Sequence, residues 1–153
     1  MILCDIGNTS YHFLDEDDHN YKEYVDKFDP SRMKKQIFYI SVNVKEDQKL
    51  QHLDNWIDLS QYVDRQKYYP MMGIDRIVGC EAIEDGLIVD AGSAVTVDLM
   101  QKGEYKGGFI YPGVQKMAQT YQNISSALDY SFNFEVDLDK MAKNPQDSIS
   151  YGI

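Results

Sequence analysis

One local device occurs twice in this chain, and it constrains the fold more than any other feature. Asp5-Ile6-Gly7-Asn8-Thr9 follows the apolar run Met1-Ile2-Leu3-Cys4, and Asp90-Ala91-Gly92-Ser93-Ala94 follows Leu87-Ile88-Val89. Each precedes a second strand-like run, Ser10 to Leu14 and Val95 to Leu99. A strand that delivers an Asp, turns on a Gly and presents a hydroxyl suits a metal-bound phosphate. The Gly lets backbone N–H groups approach the phosphate, and the carboxylate is a hard ligand for Mg²⁺ or K⁺. Two such turns predict a duplicated domain with nucleotide phosphates held between the copies.

The 153 residues suffice for one ordinary domain or two small ones, and a hydrophobic content of 43% allows a packed core. The formal net charge of -10 disfavours nucleic acid and anionic membranes as partners, since both reward positive surfaces. An acidic chain that binds a nucleotide must supply local amides, a metal or a few cations. The two cysteines, Cys4 and Cys80, sit in apolar contexts, which suggests free thiols in a reducing cytoplasm. The N-terminus lacks the basic region of a signal peptide. No apolar run approaches the roughly 20 residues that span a bilayer. The three histidines are scattered, without metal-ligand spacing.

Along the chain, Met1 to Ile6 predicts a buried strand and Tyr11 to Leu14 its return. Asp15-Glu16-Asp17-Asp18 lacks the spaced ligands and central Gly of a calcium loop and is expected to be a solvated turn. Asp29-Pro30-Ser31 suits a helix start. Gln36 to Val42 is rich in β-branched and aromatic residues and predicts a strand. Leu50, Leu53 and Trp56 place one helix face within Lys45 to Trp56, with a short strand at Ile57 to Leu59. Tyr68-Tyr69-Pro70 predicts a loop, and Ile74 to Ile83 a helix. The second half opens at Leu87, where Val95, Val97 and Leu99 alternate with polar residues as in a strand. Lys102-Gly103 is a hairpin turn, and Tyr105 to Ile110 the next segment. Val114 to Leu128 predicts a helix, and Gln146 to Ile153 another after an irregular stretch from Asp129. The apparent boundary lies near Asp85-Gly86, giving domains 1–85 and 86–153. Strand–turn–strand units followed by helices, twice over, predict an α/β fold with a mixed sheet in each half.

Taken together the motifs resemble type III pantothenate kinase. Four match in order: Asp5-Ile6-Gly7-Asn8-Thr9, Gly73-Ile74-Asp75-Arg76, Asp90-Ala91-Gly92-Ser93-Ala94 with Thr96 and Asp98 behind it, and Gly107-Gly108-Phe109-Ile110-Tyr111-Pro112-Gly113. The resemblance implies the duplicated ribonuclease-H-like fold of the acetate and sugar kinase, Hsp70 and actin superfamily, and ATP-dependent conversion of pantothenate to 4′-phosphopantothenate, the first step of coenzyme A biosynthesis. It implies that Asp5, Ile6, Gly7, Asn8, Thr9, Ser10, Tyr11 and His12 hold ATP phosphates, Asp5 through Mg²⁺. It further implies that Gly73, Ile74, Asp75 and Arg76 bind pantothenate with Asp75 as general base, that Asp90 binds a monovalent cation (K⁺ or NH₄⁺), and that Ser93 contacts ATP. A Tyr upstream contacts pantothenate, for which Tyr69 and Tyr68 are both candidates. A homodimer in the cytoplasm, with no nucleic acid or membrane partner, completes the implied picture.

Two departures stand out. The pantothenate-contacting Thr of the family falls on Pro145, which has no hydroxyl. Family members also continue past the segment matching Tyr151-Gly152-Ile153. The resemblance is therefore to a C-terminally truncated member with an incomplete second domain, expected to be a poor kinase as it stands, to bind ATP weakly or undetectably, and to self-associate. The alternative is an inactive fragment, or a regulatory or accessory protein that keeps the kinase fold. A sugar kinase is disfavoured by Gly73-Ile74-Asp75-Arg76.

The residues support the implied chemistry directly. A primary hydroxyl is a poor nucleophile, and a carboxylate within hydrogen-bond reach can take its proton as phosphate transfers. Arg76 suits a carboxylate or phosphate because its planar edge binds bidentately.

Overall fold

The computed structural model of this protein describes residues 1–152. It is a mixed α/β structure with two sheets. The first has the order β3-β2-β1-β4-β5. Its strands are β1 (Ile2–Ile6), β2 (Ser10–Asp15), β3 (Asn20–Tyr24), β4 (Ile37–Ser41) and β5 (Trp56–Asp58). β1, β2 and β3 form an antiparallel meander, while β4 and β5 run parallel to β1. The register pairs Ile6 with Tyr11 on one side and with Ser41 on the other. Those directions are those of a ribonuclease-H-like sheet.

Period-2 alternation decides which residues enter the core. Ile2, Cys4 and Ile6 of β1 are buried, together with Tyr11, Phe13, Ile37, Tyr39, Leu50 and Trp56. Leu3 and Asp5 fall on the opposite face. Aromatic rings fill much of the core: Phe28 lies 4.8 Å from Tyr11 and 5.5 Å from Phe13. The Tyr11 hydroxyl is satisfied there: it donates to Glu46 Oε2 at 2.5 Å, and Lys49 donates to Glu46 Oε1 at 2.7 Å. Burial, then the Glu46 bond, pushes the Tyr11 hydroxyl well above the ordinary tyrosine range.

Three local expectations shift. The helix expected through Trp56 ends early as α1 (Val44–Leu50), and Trp56 begins β5. Trp56 enters the core from a strand, where its indole N–H donates to the Pro30 carbonyl at 3.3 Å. The Asp29-Pro30-Ser31 start yields a single 3₁₀ turn, Pro30–Arg32, capped by Asp29. β3 had no counterpart in the sequence reading. All five of its residues are exposed, so this edge strand carries no apolar alternation to reveal it. Asp15-Glu16-Asp17-Asp18 is an exposed turn: Asp15 Oδ1 accepts from the Asp17 and His19 amides at 2.9 and 3.0 Å.

Beyond β5 comes α2 (Ile74–Glu81). The second sheet has the order β6-β7-β8, built from β6 (Gly86–Ala91), β7 (Ala94–Gln101) and β8 (Glu104–Pro112). Its β7–β8 turn is Lys102-Gly103, with φ of 55° and 71°, the left-handed pair of a tight hairpin. α3 (Val114–Ile124) stops four residues short of the expected helix, and a 3₁₀ turn covers Ser126–Leu128. The helix expected over Gln146 to Ile153 begins one residue sooner as α4 (Pro145–Ser150), with Pro145 in its first turn and Asn144 as its cap. Ile153 lies outside the described residues.

By compactness the chain forms two units: Met1–Ile88 with Asp98–Gly107, and Val89–Val97 with the residues from Gly108 onward. The hairpin end 98–107 joins the first unit because Met100 packs with Tyr68, Met72, Ile77 and Cys80 in a second small core, flanked by Tyr105. No helix among the described residues is long and apolar enough to cross a membrane.

Candidate active site

The two Asp-x-Gly segments fold alike. β1 ends at Ile6, and the Gly7 N–H donates to the Ser10 carbonyl at 2.9 Å; β6 ends at Ala91, and the Gly92 N–H donates to the Ala94 carbonyl at 2.9 Å. Each turn closes a hairpin and carries its Asp just before the bend.

In the first turn, Asp5 is exposed on the sheet face away from the core. With His12 it lines a cavity of about 300 Å³, floored by Leu3, Leu14, Phe38 and Ile40 and flanked by Val78 of α2. Asn8 and Thr9 are exposed at the tip, while Ser10 is buried and pairs with His12 Nε2 at 2.9 Å. Ile6 and Tyr11 have fully buried side chains, so toward a phosphate they offer backbone groups. The tip is latched by Asn43, which the sequence reading passed over. Its Nδ2 donates to the Gly7 and Asn8 carbonyls at 3.3 and 3.4 Å, and its Oδ1 caps α1 by accepting from Lys45 and Glu46 amides. An Asn directly before a helix was the available signal.

The Gly73-Ile74-Asp75-Arg76 segment starts α2. Gly73 is the N-cap, Ile74 anchors the helix in the core, and Asp75 sits half-buried in the first turn. Asp75 Oδ1 accepts the Arg76 amide at 2.8 Å. A Cβ at Gly73 would lie 2.4 Å from Asp75 Oδ1, so a larger residue there would push that carboxylate aside.

Arg76 is buried and fully oriented. Its Nε and Nη2 donate to Asp98 Oδ2 and Oδ1 at 2.9 and 2.5 Å, and its Nη1 donates to the Tyr69 hydroxyl at 2.5 Å. Tyr105 donates to Asp98 Oδ1 at 3.0 Å. The bond to Asp98 holds Arg76 charged far beyond any accessible pH. Burial first, then the bond to Asp98, pushes the Tyr105 hydroxyl up to about 12. The edge of Arg76 that was expected to meet a ligand is thus occupied by Asp98. Asp98 entered the sequence reading only as part of the third motif, with no role given to it, and Tyr105 only as the start of a segment; an acid between Val97 and Leu99 was a signal, since on β7 the buried positions include Thr96, Asp98 and Met100, while Leu99 is exposed. Of the two tyrosine candidates, Tyr69 points its hydroxyl at Arg76, whereas Tyr68 is buried and donates to Glu81 at 2.8 Å.

In the second unit, Asp90 and Ser93 are exposed on their turn. Gly113 donates to the Ser93 carbonyl at 2.9 Å, and a Cβ on Gly113 would lie 2.2 Å from the Gly92 carbonyl oxygen. That close approach requires glycine and fixes the turn's shape. Pro145 is exposed at the first turn of α4 and contributes no donor.

The sequence model of the family described as type III pantothenate kinase matches residues 35–153. A type III pantothenate kinase of Sulfurimonas denitrificans is 60% identical over 99% of this chain, which covers 74% of that relative. The Campylobacter jejuni protein of the same name is 40% identical over the whole chain, which covers 73% of it. A Campylobacter jejuni crystal structure, described as a conserved Baf family transcriptional activator, superposes with a TM-score of 0.88 at 40% identity, over 100% of this chain and 73% of that one. With the family's motifs in place and identity sustained from end to end, this chain belongs to the type III pantothenate kinase family.

Proposed function

We propose that this chain phosphorylates the primary hydroxyl of pantothenate with ATP, yielding 4′-phosphopantothenate for coenzyme A biosynthesis. The observation that carries the reading is Asp75, a half-buried carboxylate set by a helix turn and a glycine-sized gap. Asp75 accepts the hydroxyl proton as the oxygen attacks the γ-phosphate. The N–H groups of the Gly7 to Thr9 turn face the transferring phosphates.

The donor set at the two turns fits hard cations. Asp5 would hold Mg²⁺, which neutralises phosphate charge when bound, and Asp90 would hold K⁺ or NH₄⁺ beside Ser93. A cytoplasmic setting agrees with Cys4 and Cys80, both buried free thiols. We further propose a homodimer, as the family resemblance implies.

The test is acceptor choice. Purified chain with ATP, Mg²⁺ and K⁺ is offered pantothenate, glucose or acetate, and products are weighed by mass spectrometry. Phosphate gain on pantothenate alone is expected; transfer to glucose or acetate instead would overturn the reading.

A further inference from the structure

β3 is exposed along its whole length, yet its register carries it alongside the first turn. Directly opposed residues on neighbouring strands share a face. Asp5 opposes His12, and His12 opposes Lys22, so the three form one row across β1, β2 and β3 on the face away from the core. One step nearer the turn, Ser10 opposes Tyr24. Just beyond, the Val25 N–H donates to the Thr9 carbonyl at 3.2 Å, which ties the end of β3 to the tip of the turn.

The chain then doubles back. Lys27 and Phe28 both donate their amides to the Tyr24 carbonyl, at 3.0 and 2.9 Å, and Val25 and Phe28 pack against the core. This anchoring brings Lys27 over the ring of Tyr24. Its ammonium lies 5.9 Å from the ring centre, and that of Lys22 lies 5.2 Å from the same centre. The negative face of the ring attracts each cation, but the two ammonium groups repel one another. An anion placed beside them relieves that repulsion. Tyr24 is 52% exposed, so the cluster is open to such a ligand. The formal net charge of the chain is -10, and an anionic ligand is therefore best received where positive charge is gathered locally.

We infer that Lys22 and Lys27, gathered on Tyr24, are phosphate-binding residues of the first turn: their ammonium groups meet phosphate oxygens of ATP held at that turn. The inference rests on the ATP reading above and adds the local cations that an acidic chain needs for it. Lysine suits the role as a point charge on a flexible stem. Lysines on an edge strand also have a plainer role, to discourage pairing with the edge of another chain. The two roles separate in experiment.

Binding of ATP to the purified chain, with Mg²⁺ present, is followed by phosphorus NMR titration, which reads weak affinities. The proteins are wild type, Lys22→Gln, Lys27→Gln, the double Gln variant, the double Arg variant and Tyr24→Leu. Each single Gln substitution should weaken ATP binding about threefold, the scale of one exposed ion pair, and the double variant about tenfold, since two separate charges are lost. The double Arg variant keeps both charges and should bind as wild type does. Tyr24→Leu leaves the lysines ungathered and should weaken binding about threefold, as for one lost cation–π contact. Salt at about 0.5 M should remove most of the difference between wild type and the double Gln variant. Circular dichroism and light scattering follow fold and association. A double Gln variant that binds ATP as wild type does, whether or not it associates more, would overturn this inference alone. So would an unaffected Tyr24→Leu, a loss that survives high salt, or one that Arg does not restore. A wild type that leaves the ATP resonances unchanged would overturn the ATP reading and this inference with it.

Discussion

Gly73 and Asp75 are geometrically coupled, because the first leaves the space in which the second's carboxylate sits. Gly73 has φ of -58°, which any residue tolerates, so Gly73→Ala tests space rather than backbone strain. The added Cβ would displace Asp75 Oδ1, 2.4 Å away, from its bond to the Arg76 amide. Turnover should fall by about 10²-fold, the scale of misplacing a reacting group by an ångström, with thermal stability nearly unchanged. A melt that drops as steeply as turnover would assign Gly73 a structural role instead. At Asp90 the proposed monovalent cation predicts faster turnover in K⁺ or NH₄⁺ than in Na⁺, a difference that Asp90→Asn should erase; equal rates in all three salts for the unaltered chain would remove the cation site. The motif residues were legible because their spacing is local. The partner of Arg76 was less so: Asp98 is 22 residues away in sequence, and only the packing of the β7–β8 hairpin end brings it near.

Among the elements, α1 and the first turn are joined through Asn43. Asn43→Asp separates its two duties, since a carboxylate still accepts from the Lys45 and Glu46 amides but cannot donate to the Gly7 and Asn8 carbonyls. Its melting temperature should stay near wild type while the KM for ATP rises several-fold and that for pantothenate does not; an unchanged KM for ATP would detach Asn43 from the phosphate turn. Asn43→Ala should lose the cap as well, about 1 kcal/mol of stability. β1 was readable from its apolar run, β4 from its β-branched and aromatic residues and β7 from its alternation, as was α2 from its helical spacing. β3 was not, because its pairing with β2 rests on backbone bonds at an edge. Nor was the end of α1, where Leu50 and Trp56 share a core but come from a helix and a strand.

At the scale of the whole molecule, buried hydroxyls and a buried thiol set the alkaline limit of the fold. Burial pushes the Cys80 thiol up to about 11, and the Tyr39 and Tyr105 hydroxyls up to about 12. A group whose value is raised on folding adds stability that is complete below its unfolded value and fades as pH climbs to its folded one. Unfolded thiols and phenols ionise near pH 8.5 and 10, about their free values, so melting temperature should hold to about pH 8.5 and then decline toward pH 12; a flat profile from pH 8 to 11.5 by circular dichroism would contradict these burials. The repeated strand–turn–strand units with their helices allowed the α/β class to be read from sequence, and four motifs in order the kinase family. The two compact units were less legible, since the hairpin end 98–107 leaves its own sheet's unit to pack beside Tyr68 and Ile77. The most direct measurement is 4′-phosphopantothenate formed from ATP and pantothenate by the purified chain and by its folded Asp75→Asn variant, with Mg²⁺ and K⁺ present. Slow product formation is expected from the unaltered chain at high ATP, with a rate about 10²-fold lower in the variant, the scale of losing a positioned base. A folded chain that makes no 4′-phosphopantothenate, or a variant that makes it equally fast, would contradict a kinase working through Asp75.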